Sequence, residues 1–159
     1  MITDKFGMLL EELGGLFKVK LQPDKNGACS LKFNNGIQVQ MELDKRGEYL
    51  LLATDLGQIP AGRYRENVLR EALKANGLPP PRNGIFAFSK KNESLVLSDT
   101  LFVEEVNGLK LRDFLRQFTQ KALLWNGAIQ RGEVPSFTGS ELTFGGKTGQ
   151  PGGIFGLMR

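Results

Sequence analysis

The residue types that most often do chemistry are scarce in this chain. It contains no histidine and a single cysteine, Cys29, among its 159 residues. Without histidine the chain has no Ser-His or Cys-His catalytic pair, and it lacks the usual general base of neutral pH. Histidine-containing zinc sites are excluded for the same reason. Cys29 alternates in phase with Leu31 and Phe33, which indicates a buried structural thiol rather than a nucleophile.

Two other short patterns could indicate a phosphate-binding loop or a catalytic carboxylate pair. The stretch "GGKTG" from Gly145 is similar to the end of a phosphate-binding loop, but the upstream glycine and the following helix of that motif are missing. Glu104 and Glu105 could form a carboxylate pair, although acidic neighbours just before a helix are usually solvent-facing charges. We therefore expect no catalytic, metal-binding or cofactor-binding residues, and we predict that the protein is not an enzyme.

Composition predicts a globular protein with a mildly basic surface. The chain is 40% hydrophobic and 24% charged, with a net charge of +4. Its basic residues are interleaved with acids, and its aromatic residues do not alternate with them as on a surface that stacks bases. A nucleic-acid-binding module is therefore the least favoured function.

The sequence shows neither the pattern of a membrane span nor that of a signal peptide. No apolar run approaches the roughly 18 residues of a membrane span. The N-terminus "MITDKFGMLLEELGGLF" has two glutamates in its apolar part and no cleavage pattern, so we predict no signal peptide. A single cysteine suits a reducing compartment, and we expect a cytoplasmic protein.

Three helices are predicted from apolar residues at helical spacing. The first runs from Thr3 to Leu13 and is expected to stop at Gly14–Gly15. The second spans about Gly62 to Asn76, where Asn76–Gly77 fits a left-handed stop. The third follows Asn107, a fair N-cap. Its apolar face comprises Leu111, Phe114, Leu115, Phe118, Ala122, Trp125 and Ile129.

Five strands are predicted between these helices. Residues 29–33 and 37–43 alternate around Asn35–Gly36, a hairpin signal whose turn is expected to have positive φ at both residues. The run "EYLLLATDLG" indicates a strand covered on both faces. Residues 85–89 and 94–98 flank the polar turn "KKNE" and predict a second hairpin. A weak extended segment is also expected at residues 17–21.

The predicted order is α-β-β-β-α-β-β-α, an α+β fold with helices on an antiparallel sheet. Residues 1–131 form this domain. Residues 132–159 are rich in glycine and lack periodicity, so we expect a flexible tail that is dispensable for folding.

The second half of the chain resembles a known family. "LREALKANGLPPPRNGIFAFSKKNESLVLSDTL", followed by "LRDFLRQFTQKALLWNGAI", is similar to the class I type III secretion chaperones, the Tir-chaperone (CesT-like) family. The first half agrees in order, with an amphipathic helix, "ACSLKF", "IQVQMEL" and "EYLLLATDLGQIP". The resemblance covers about residues 1–131. The basic charge departs from the family, whose members are commonly acidic.

This resemblance implies a non-enzymatic cytosolic homodimer that keeps the N-terminal segment of one or more secreted effectors extended and competent for export. Its implied partners are the effector, a second copy of the chain and the ATPase of the secretion apparatus, without cofactor, nucleic acid or stable membrane insertion. The implied dimer interface comprises Val68, Leu69, Ile85, Phe86 and Phe88. The implied effector-binding residues are Leu10, Leu13, Val19, Phe33, Val39 and Met41.

Two alternatives remain open for these residues and for the function. Each apolar side chain on a patterned strand could fill the protein's own core instead of meeting a partner. The protein could also be a generic peptide-binding or scaffolding dimer that has no link to secretion.

Overall fold

A computed structural model describes residues 5–135 of the chain. Its helices are α1 (Lys5–Phe17), α2 (Arg63–Asn76) and α3 (Gly108–Gln130). Its strands are β1 (Ala28–Lys32), β2 (Gln38–Leu43), β3 (Tyr49–Gln58), β4 (Ile85–Ser89) and β5 (Ser94–Phe102), and a short 3-10 helix (Val103–Glu105) precedes α3. This order confirms the predicted α+β class. Most of the predicted tail, residues 136–159, lies outside the described residues.

The five strands form one antiparallel sheet in the order β1-β2-β3-β5-β4. Both predicted hairpins are present, and β5 extends to Phe102. The register aligns apolar residues across the sheet, for example Met41 with Leu52 and Phe86 with Leu97. Strands β1 and β4 are therefore the two edges of the sheet.

The helices cover one face of the sheet. On β3, Leu50, Leu52 and Leu56 are at most 1% exposed, whereas Leu51 and Ala53 on the other face are only half-buried. Tyr49 and Phe102, which are register partners at one end of that face, are 41% and 38% exposed. The prediction that β3 is covered on both faces therefore fails within the described chain.

The third helix begins where the sequence predicts. Asn107 Oδ1 accepts a hydrogen bond from Lys110 N at 2.9 Å, which satisfies one of the unpaired amides at the helix start. Gly108 N donates to Glu12 Oε2 of α1 at 2.6 Å, and a Cβ atom at Gly108 would lie 2.6 Å from Glu12 Cβ. The missing side chain at Gly108 thus permits the close approach of α1 and α3.

The first helix does not stop at Gly14–Gly15 but continues to Phe17. Lys18 takes the left-handed conformation instead, with φ 57°, and Val19 N donates to Gly14 O at 2.9 Å. This bond from the second residue past the helix to a carbonyl in its last turn is a Schellman-type cap. The expected extended segment at residues 17–21 is contradicted at its start, because Phe17 is helical and Lys18 is left-handed.

The second helix ends without a left-handed residue, because Gly77 has φ −78°. The amide of Asn76 instead reaches the edge strand β4. Its Nδ2 atom donates to Phe86 O at 2.9 Å, and Phe86 N donates to Asn76 Oδ1 at 2.8 Å. The side chain of Asn76 therefore occupies the outer edge of β4 as a neighbouring strand would.

The first hairpin also uses a different turn from the one predicted. Phe33 N donates to Ile37 O at 2.8 Å and Gly36 N donates to Phe33 O at 3.0 Å, which closes a three-residue loop. Only Gly36 has a positive φ, 90°, as in the type I turn with a glycine bulge.

The proline-rich loop before β4 is held against α3. Lys121 Nζ donates to Arg82 O at 2.9 Å and to Gly84 O at 3.0 Å, and burial lowers the pKa of Lys121 to about 8. The rings of Phe86 and Trp125 pack with their centroids 4.1 Å apart. These contacts attach β4 and the loop before it to α3. Within residues 5–135, no helix is long and apolar enough to span a membrane.

The two adjacent glycines of α1 should respond oppositely to alanine. A Cβ atom at Gly14 would lie 2.5 Å from Val19 O, whereas one at Gly15 would meet nothing within 4 Å. We expect Gly15→Ala to raise the free energy of unfolding by about 0.5–1 kcal/mol, because glycine is a poor helix former. Gly14→Ala should lower it by about 1–3 kcal/mol, because the cap must shift. Urea denaturation measures both, and equal effects would contradict the proposed cap.

Candidate functional site

A groove of about 740 Å³ runs along one side of α1. One wall is α1 and the other is the returning segment of residues 18–23. The lining residues are Gly7, Met8, Leu10, Glu11, Gly14, Gly15, Lys18, Val19, Lys20, Leu21, Gln22 and Pro23.

The shape of the groove follows from the sequence of α1. Gly14 and Gly15 follow Gly7 by seven and eight residues, so the three glycines share one side of the helix and leave it without side chains. The left-handed Lys18 then turns the chain back beside the helix. Met8 stands 59% exposed at the rim of the groove.

Met8 also borders a second, smaller hollow of about 210 Å³, which lies between α1 and the segment that leads into α3. Its other lining residues are Lys5, Leu9, Glu12, Val103, Glu104, Val106 and Asn107. An exposed methionine is a flexible apolar side chain that can adapt to surfaces of different shape.

Beyond the groove, the chain leads directly into an open sheet edge. Asp24 N donates to Ala28 O at 2.7 Å, and Ala28 N donates to Asp24 Oδ1 at 3.0 Å, so the first residue of β1 is paired. Since Phe33 bonds to Ile37 across the hairpin, the alternation of an antiparallel ladder points the backbone groups of Ser30 and Lys32 away from β2. Such an edge can accept an added strand.

The chemistry of this region is that of a binding surface. Burial raises the pKa of the Cys29 thiol, so the thiol stays protonated and unreactive. Among residues 5–135, no cluster of histidine, cysteine or carboxylate side chains is suited to a metal ion. The groove and the edge together offer apolar contacts and main-chain hydrogen bonds to an extended peptide.

A model of the Tir chaperone protein (CesT) family matches residues 8–126. The chain belongs to this family. The match begins in α1 at the groove and ends inside α3, so it includes every element of the sheet. No protein of curated function matches the sequence significantly.

Solved structures share the fold of this CesT-family chain. The Yersinia pestis type III secretion chaperone SycH, solved with a fragment of YscM2, has a TM-score of 0.57 at 18% identity, covering 72% of this chain and 94% of that one. The HopA1–SchA chaperone–effector complex gives 0.59 at 18% identity, with 78% and 94% covered. The ExsC–ExsE complex gives 0.61 at 21% identity, with 79% and 94% covered. Identities this low establish a common fold.

The structure separates the predicted effector-binding residues into two groups. Leu10, Leu13, Val39 and Met41 are 0% exposed and belong to the core of the CesT-family domain. All four are fully buried in this conformation, although Leu10 lines the groove, and their predicted contact role is untested. Val19 is 47% exposed. Phe33 is half-buried, and its ring meets that of Phe17 edge-on with centroids 5.9 Å apart.

The predicted interface residues divide in the same way. Val68 and Phe86 are 0% and 5% exposed and lie in the core. Leu69 and Phe88 are half-buried, with the guanidinium of Arg65 4.7 Å from the centre of the Phe88 ring. Ile85 is 40% exposed on the uncovered face of the sheet.

Sequence reasoning missed two exposed apolar residues. Met8 lies next to the buried stripe of α1 and was not assigned to a surface, although its spacing of seven residues from Gly15 places both on one side of the helix. Leu73 lies on α2 and is 71% exposed. It follows Leu69 by one turn, on the side of α2 that carries Asn76 toward β4.

Two valines test this division in the CesT-family chain. Val39→Asp places a charge at a fully buried position, so we expect loss of the native circular dichroism spectrum and of cooperative melting. Val19→Asp changes an exposed side chain and should leave the melting temperature within a few degrees of the original. A folded Val39→Asp protein would contradict the assignment of Val39 to the core.

Proposed function

We propose that the protein is a cytoplasmic type III secretion chaperone that binds the N-terminal segment of one or more secreted effectors along α1 and the edge of β1. The observation that carries the proposal is the groove of residues 7–23, which leads into a strand with two outward-facing residues. Binding requires no ATP, metal or other cofactor, and the protein acts without catalysis.

The physical basis of binding is the burial of side chains together with main-chain pairing. Met8 and Val19 offer apolar surface in the groove, and Phe33 offers the edge of its ring at the end of β1. Burying one apolar guest side chain contributes roughly 1.5–3 kcal/mol, or about one to two decades in affinity. Pairing with the backbone of Ser30 and Lys32 holds the guest extended whatever its sequence.

The solved relatives support an effector as the partner, since SchA is described in a chaperone–effector complex with HopA1 and SycH was solved with a fragment of YscM2. We include the ATPase of the secretion apparatus as a further partner, to which the chaperone delivers its cargo.

We also propose that the chaperone is a homodimer joined through α2 and β4. Leu69 and Leu73 follow the side of α2 whose Arg65 and Asn76 contact β4, and Ile85 lies exposed on that strand. Exposed leucines and isoleucines on adjacent elements form the kind of apolar patch that a partner covers. The outer edge of β4 is occupied by Asn76 at Phe86, so the two copies meet through side chains there rather than by strand pairing.

The family assignment favours neither alternative function. No specific feature of residues 5–135 points to a scaffolding dimer outside secretion. The basic residues of the chain do not accompany a row of stacking aromatic side chains, so a nucleic-acid-binding module has no further support.

The groove can be blocked without disturbing the fold. A Cβ atom at Gly15 meets nothing within 4 Å, so Gly15→Trp should place an indole in the groove of a folded protein. We expect at least a tenfold loss of affinity for the N-terminal segment of an effector that copurifies with the chaperone, measured by calorimetry. Gln120→Trp, at an exposed position of α3, is the matched control. Unchanged binding by a folded Gly15→Trp protein would exclude the groove.

Dimerisation is tested at Leu73. Light scattering should give twice the chain mass of 17.6 kDa for the original protein. Leu73→Asp should give a folded monomer at micromolar concentration, because the change charges an exposed apolar patch. Leu124→Asp, at a position of α3 that is 55% exposed, should remain dimeric. An original protein that runs as a monomer would refute the homodimer.

A further inference from the structure

The groove and the open edge carry positive charge that is unpaired in the described chain. Lys18 and Lys20 line the groove, and Lys32 lies on the edge strand β1. All three side chains are exposed, and none of them forms an ion pair among residues 5–135.

Three nearby carboxylates have a hydrogen-bond or ion-pair partner among the described residues. Glu12 accepts the hydrogen bond from Gly108 N, and Glu104 pairs with Lys5. Asp24 Oδ1 accepts bonds from Asn26 N and Ala28 N within its own turn. Glu11 is the remaining carboxylate on the groove wall, opposite two lysines. Lys18, Lys20 and Lys32 therefore present exposed ammonium groups that can pair with carboxylates of a guest.

The register of β1 determines which side chains of an added strand would lie beside Lys32. Lys32 points to the uncovered face of the sheet, whereas Leu31 and Phe33 point to the covered face. A strand added to β1 alternates in the same way, so its residues on the uncovered face lie beside Lys32 and those between them lie beside apolar side chains. Opposite charges across a pair of strands attract, and like charges repel.

We infer that this chaperone selects an extended segment in which acidic residues alternate with apolar residues. The inference rests on the proposed function and adds the chemical class of its cargo. The backbone pairing is indifferent to sequence, so the selection lies in the side chains that meet Lys18, Lys20 and Lys32. The attraction acts at the exposed surface, so salt screens it within about 10 Å at 0.1 M ionic strength.

Three short synthetic peptides test the inference. They share one apolar frame and carry Glu, Gln or Lys at every second position. At low salt the Glu peptide should bind about tenfold more tightly than the Lys peptide, with the Gln peptide between them, and the difference should shrink at high salt. The triple variant Lys18→Glu, Lys20→Glu, Lys32→Glu should reverse this order.

The matched control is Lys90→Glu, Lys91→Glu, Arg116→Glu, which changes the net charge equally at exposed positions of the β4–β5 turn and of α3. It should keep the preference for the Glu peptide. Equal binding of the three peptides, or loss of the preference in the control, would overturn the inference. The proposed function would then still stand if Gly15→Trp weakens effector binding, and it would fail separately if Gly15→Trp has no effect.

Discussion

The structure depends on the burial of a single face of a five-stranded sheet beneath α1 and α3. The alternate leucines of β3 and β5 lie under these helices with almost no exposure. The contact between Glu12 and Gly108 N joins the two helices directly, and the absence of a side chain at Gly108 lets them meet. Residues 5–135 cover only this face, so the opposite face of the sheet stays exposed in this part of the chain.

The two edges of the sheet differ in how the outward-facing backbone groups of their strands are hydrogen-bonded. At β4 the amide of Asn76 bonds to both backbone groups of Phe86, so an incoming strand finds that position occupied. At β1 the pairing with Asp24 stops at Ala28, and the next outward-facing residues are open. An exposed edge is a liability that proteins usually protect. In the proposed function, the guest pairs with β1, on the side of the molecule where the groove of α1 begins.

Sequence predicted the elements well because their signals are local and repeated. The apolar stripe of α3 spans more than five turns and its cap at Asn107 is a single side-chain bond, so both were correct. Helix ends and turns were less predictable, because several residues compete for one conformation. The first helix ends at a left-handed Lys18 instead of at Gly14–Gly15, and the second helix ends at Asn76 as predicted but without the expected left-handed residue.

The candidate site could be predicted only in part for a related reason. Alternation shows which side of a strand is apolar, but it does not show what covers that side. Val39 and Met41 therefore looked like Phe33 in the sequence, although the structure buries the first two completely. Met8 and Leu73 were missed for the opposite reason. An apolar residue beside a buried stripe looks like a core residue in the sequence, and only the neighbouring elements show that it is exposed.

The most direct test of the account is residue-resolved hydrogen exchange of the chaperone, free and bound to the N-terminal segment of its effector. The amides of Ser30 and Lys32 point away from β2 and should exchange rapidly in the free protein. The account predicts that both become strongly protected in the complex, together with residues of the groove wall from 18 to 20. Rapid exchange at Ser30 and Lys32 in the complex, with new protection confined to α2 and β4, would contradict it.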